Sequence, residues 1–171
     1  MSPALHTVHE RIVSAIREST PVPVMRIYLE SPTTAKLDLS LSNPLVASTD
    51  CKDNKDVTRL LHDVLAQSGA TYGIGGYAEK RGWYARGEQF SHGEEVRSIH
   101  LGIDIWAPAG MSVYAPYDSV VHSAKDNELF RDYGPTIILS HTIADETFYT
   151  LYGHLSRESL IGKEPGTTIK Q

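Results

Sequence analysis

The chain has 171 residues, enough for one domain or one with a small appendage, and enough to bury a core. It is 40% hydrophobic and 22% charged, which argues against disorder, and a net charge of −5 without a basic patch argues against nucleic-acid binding. A single cysteine excludes an internal disulfide framework and a cysteine-rich zinc site, and Cys51 sits in the polar stretch STDCKDNKD with no partner base, a poor setting for a nucleophile.

The N-terminal stretch MSPALHTVHERIVSAIREST mixes charges into its apolar positions, unlike a signal peptide. No run approaches the roughly 20 apolar residues that span a bilayer, so the chain as given reads as cytoplasmic with no membrane span. Leu5, Val8, Ile12, Val13 and Ile16 recur at helical spacing and predict a helix over 4–18, closed by the prolines of STPVP. VMRIYLE (24–30) and AKLDLSLSNPL (35–45) alternate apolar and polar residues. They predict two strands, joined by the turn SPTT into a hairpin. DNKDVTRLLHDVLAQSG (53–69) predicts an amphipathic helix capped by Asp53 or Asn54 and ended by Gly69.

The character then changes. Residues 71–97 are rich in glycine and aromatics, and from residue 97 no helical period remains. IHLGIDIWAP, GMSVYAPYDSVVHSAK, GPTIILSH and TFYTLYGHLS predict short β segments between Gly, Pro and Asp turns. The fold class expected is α+β. An N-terminal helix–hairpin–helix accessory region (1–75) is followed by a mainly antiparallel β domain (76–171).

Within SIHLGIDIWAPAG, His100 and Asp104 are side chains of the types zinc takes as ligands. On a flat strand, positions 100, 102 and 104 share a face, with the outer two Cα atoms about 13 Å apart. Gripping one ion needs a bend, and Gly102 is where a bend costs least. A helix would close the distance, but Pro108 and Gly110 argue against one. A metal site and a strand with a half-exposed polar face both satisfy the pattern. His154 ends one later strand segment and His141 another. If those strands pair beside IHLGID, the histidines converge at one end of a sheet. Otherwise a strand-end histidine is an ordinary surface residue.

HLGIDIWAPAGMSVYAPYDSVVHSA, followed by YGPTIILSH and FYTLYGHLS, resembles the lysostaphin/LytM-type zinc endopeptidases, which cut peptide cross-links in bacterial cell walls. The resemblance covers about residues 97–171, and YGIGGYAEKRGWY is more loosely similar to a lead-in of some members. It implies a lysostaphin-like β-sheet sandwich, a zinc cofactor and hydrolysis of peptide bonds, with peptidoglycan-like cross-links as substrate. His100 and Asp104 match the first two zinc ligands. His154 matches the catalytic histidine that hydrogen-bonds the attacking water or the developing oxyanion. His141 matches a frequently polar position and is expected to be structural or peripheral.

The family pattern also holds a late His-x-His, which supplies the third ligand and the catalytic base. No histidine follows His154 here, so the expectation is a chain cut short, with only two protein ligands and weak zinc binding. Ser119 stands where the family usually has a turn glycine. The family is usually extracytoplasmic, yet its relatives include domains fused to intracellular enzymes. The competing readings are a catalytically inactive peptidase-like module that binds or regulates, and a β domain with no metal. A shortened chain would also leave DSVVH or YGPTIILS on an unpaired sheet edge, open to self-association.

Overall fold

The first helix, α1 (Pro3–Glu18), starts where proline's missing N–H is no loss. In the computed structural model its half-buried side chains include Val8, Ile12, Val13 and Ile16, the stripe set by their spacing. The structure describes residues 3–28, 30–50, 53–81, 91–92, 95–96, 99–128 and 132–171, so Cys51 lies outside it. The described chain divides into two compact units, one of residues Met1–Arg26 with Ser112–Gln171, the other of Ile27–Met111.

In the first unit, α1 lies against β9 (Gly134–Ile143) and β10 (Glu146–Tyr152). Arg11 donates from Nε to Glu146 at 2.8 Å. These strands join β8 (Ser119–Asn127) and β11 (Thr168–Ile169) in a four-stranded antiparallel sheet of order β10-β9-β8-β11. The β9–β10 hairpin turns on Ala144 and Asp145, both at positive φ (48° and 61°), which suits the right-handed twist of the flanking strands. Ala115, Val121, Ile137 and Leu139 form the core, with Tyr152, Leu155 and Leu160 packed on it. The segments expected to leave an open edge are both interior strands. β9 lies between β10 and β8, and the two residues of β11 cover part of β8, so the edge argument for self-association loses its footing.

The second unit is built on β1 (Thr34–Leu37), β2 (Tyr72–Gly75) and β7 (Ile105–Trp106). β1 and β2 are parallel, so the chain must cross over between them, and α2 (Pro44–Ser48) and α3 (Asn54–Ser68) fill the crossover. Asp53 caps α3 by accepting from the N–H groups of Lys55 (2.8 Å) and Asp56 (2.9 Å). Gly69 ends it at φ 67°. Leu37, Leu39, Val46, Leu60, Leu61 and Val64 make the core. Gly73 is required there, because a Cβ would stand 2.5 Å from Leu37 Cδ1.

The expected hairpin of 24–30 with 35–45 does not form among the described residues. Val22 and Val24 bond instead to Pro116 and Tyr114, and Thr34–Leu37 pairs with Tyr72–Gly75. The alternation in LDLSL fails as strand because polar side chains capture the backbone locally. Asp38 accepts from the N–H of Ser40 at 2.9 Å, and Asn43 caps α2 by accepting from Leu45 at 3.0 Å.

Candidate metal centre

Two short strands set the site. β3 (Glu79–Lys80) pairs antiparallel with β6 (Ile99–His100), and the register places Glu79 opposite His100. After His100 the backbone bends at Gly102 and joins the three-stranded sheet at β7, beside β2. The N–H of Gly75 donates to the carbonyl of Asp104 at 2.9 Å and fixes that point of return.

The result brings His100 and Asp104 together, with Nε2 of the imidazole 3.4 Å from Oδ1 of the carboxylate. Their side chains are 15% and 21% exposed, whereas Leu101 and Ile103 are 68% and 65% exposed. This inverts the polarity of a strand whose polar face meets water. The glycine between them leaves room for the imidazole, since a Cβ on Gly102 would stand 2.9 Å from His100 Nε2 and push the ring aside.

Asp104 has a second partner, not foreseen from the sequence. Arg81 donates from Nη1 to Asp104 Oδ2 at 2.6 Å, and from Nε to Glu79 Oε2 at 3.0 Å. Arg81 is 3% exposed and Glu79 11%. Glu79 Oε1 accepts the N–H of Leu39 at 2.9 Å, and Leu39 is fully buried. A polar chain therefore runs from the core of this unit to the His100–Asp104 pair. The signal for it was the charged run EKR inside a glycine-rich stretch, where charge has no reason to be unless it is paired.

The other two histidines belong to the first unit. His154 is exposed, at φ 55°, and its N–H donates to the carbonyl of Tyr133 at 2.6 Å. His141 is buried at 1% exposure, its Nε2 2.7 Å from Thr150 Oγ1 and its ring stacked on Phe148. It is interior, not peripheral, and burial lowers its pKa, with backbone groups of Asp118 and Tyr117 partly offsetting the shift. Among the described residues the strand of His100 pairs with β3, not with β9 or β10, so the side-by-side pairing on which a convergence of the histidines depended is not found.

One imidazole nitrogen and one carboxylate oxygen suit zinc chemically. Two ligands on a tetrahedral zinc, each bonded at about 2.0–2.1 Å, stand roughly 3.3 Å apart. The 3.4 Å separation of Nε2 and Oδ1 fits that requirement. Among the described residues no three His, Cys, Asp or Glu side chains group as a metal site.

The paired imidazole and carboxylate lie within the stretch for which the sequence comparison finds a peptidase family. Residues 98–171 match the model of Peptidase family M23, the LytM/lysostaphin-type family, which is generally zinc-dependent. No curated protein and no solved structure matches the chain. Among the described residues no helix is long and apolar enough to cross a membrane.

Proposed function

We propose that this protein is a zinc-dependent endopeptidase-type domain acting on peptide bonds, with peptidoglycan cross-links as the substrate class. The approach of His100 Nε2 to Asp104 Oδ1, on a segment that turns its apolar residues outward, carries the reading. His100 and Asp104 would hold the zinc, which when bound polarises the scissile carbonyl and supplies hydroxide near neutral pH. His154 would hydrogen-bond the attacking water or the tetrahedral oxyanion, the kind of contact that strengthens only in the transition state. Residues 1–75 are read as an accessory region to this activity.

The family's late His-x-His is not found among residues 155–171, so this stretch of chain supplies two ligands of the family pattern and zinc should be held weakly. The test is zinc binding by the 171-residue chain and its His100→Ala variant, measured by competition with a chromophoric chelator. Weak binding that disappears in the variant is expected. Unchanged metal content in His100→Ala overturns the assignment of the site.

The absence of a three-ligand group among the described residues favours a second reading, a peptidase-like module that binds peptides without cutting them. Saturable binding of peptidoglycan stem peptides with no new amine termini after incubation with zinc would select it.

A further inference from the structure

Beyond the ligands themselves, we infer that Arg81 is the positioning residue of Asp104, the group that decides which carboxylate oxygen is offered to the metal. The inference rests on the metal reading above.

The geometry of Arg81 is specific. Its guanidinium is 3% exposed and forks between two carboxylates, Nη1 on Asp104 Oδ2 and Nε on Glu79 Oε2. A carboxylate left to itself rotates, chelates through both oxygens or turns to water. Oδ2 is held at 2.6 Å by a buried donor, and Oδ1 is the oxygen 3.4 Å from His100 Nε2. A charge-assisted bond of that kind, shielded from solvent, is the arrangement that fixes a ligand's direction and is felt in metal affinity.

Charge explains why Glu79 belongs to the device. A lone guanidinium beside a dication site would repel the ion it helps to hold. Glu79 offsets it, so the Glu79–Arg81–Asp104 group keeps one net negative charge, favourable to a cation. Glu79 is itself anchored by the buried N–H of Leu39. The backbone makes room as well: a Cβ on Gly75 would stand 3.0 Å from Arg81 Nη2 and 3.3 Å from Asp104 Cβ. Lysine cannot reproduce the fork, since it has one donor head and no fixed plane.

The test uses Co2+ as probe on the 171-residue chain, reading affinity and the visible absorption band, with urea unfolding of the metal-free proteins alongside. Arg81→Gln is expected to weaken Co2+ binding about 10–100-fold and to shift the band, because both carboxylate oxygens become available. Arg81→Lys keeps one charged donor and should recover part of that affinity.

Wild-type affinity with an unchanged band in a folded Arg81→Gln protein overturns the inference. So does an equal loss in Gln and Lys variants that merely tracks their loss of stability. If Arg81→Gln fails to fold, Arg81→Lys decides alone: a shifted band in a folded protein supports the inference, and an unchanged band and affinity defeat it. Co2+ binding lost in His100→Ala but kept in Arg81→Gln removes this inference only. Binding absent from the wild type, or untouched by His100→Ala, removes the metal reading and this inference with it.

Discussion

The two units treat histidine in opposite ways. In the first, strands of 9, 10 and 7 residues pair along their length, and His141 sits inside that ladder with its ring stacked on Phe148 and its Nε2 on Thr150. In the second, the strands around His100 are 2 residues long, and the backbone bends as soon as they end. Continuous pairing commits every side chain to one face or the other. Where pairing lapses, a glycine lets residues at 100 and 104 meet, which a flat strand forbids. The lesson is that the regular sheet supplies rigidity, while the His100–Asp104 contact forms where regularity stops.

The largest test of this contrast is the support under the irregular lobe. Leu39 is fully buried in its core, and its N–H anchors Glu79. Leu39→Ala should cost about 2–5 kcal/mol by urea unfolding, because the cavity cannot fully collapse. It should also loosen the chain of contacts through Glu79 and Arg81, so zinc or Co2+ affinity falls in the protein that remains folded. A variant destabilised this much with native metal affinity would break the link drawn between core and site.

A sharper and smaller effect belongs to Gly102. An alanine there puts its Cβ 2.9 Å from His100 Nε2, and the atom that must yield is the tip of a side chain. Stability should therefore change by less than about 1 kcal/mol. The imidazole, however, is pushed from its place beside Asp104, and metal affinity should drop about tenfold or more, by analogy with other losses of ligand orientation. Isothermal titration of both proteins with zinc gives the answer. Equal affinities would mean that the bend, not the room above it, is all the glycine provides.

Legibility in the sequence follows the same division. The helix over 54–68 was readable with its Asp53 cap and Gly69 stop, because capping is local chemistry between near neighbours. The strands that became β8, β9 and β10 were readable because β-branched and aromatic runs without a helical period stand between Gly, Pro and Asp turns. For the pair at 100 and 104 the sequence offered residue types and a need for a bend, which Gly102 could supply at least cost, and the two side chains do approach each other. The hairpin expected of 24–30 and 35–45 was misread, since alternation cannot tell which partner a strand will choose. Thr34–Leu37 found one nearly forty positions on, and Asp38 and Asn43 took over the backbone beyond it. Arg81 and Glu79 were missed for a similar reason: the run EKR marks paired charge, but their partners at 104 and 39 are distant in the chain.

The mildest effect expected is one of pH, and it turns on His141. Burial lowers its pKa from the ordinary histidine value, so the native ring resists a proton that the unfolded chain accepts. The unfolded state then binds more protons, and stability rises with pH across the interval between the depressed native value and the ordinary one. Lowering the pH from 8 toward 5.5 should reduce the urea midpoint, with a slope no steeper than one proton allows. In His141→Gln, which keeps a polar group near Thr150 but cannot titrate, that slope should shrink. Histidines common to both proteins titrate alike and cancel in the difference, and ordinary carboxylates stay largely ionised over this range. Parallel pH curves for the two proteins would show that His141 is neutralised as readily unfolded as folded. The sealed histidine of the regular sheet would then be no different, energetically, from an exposed one.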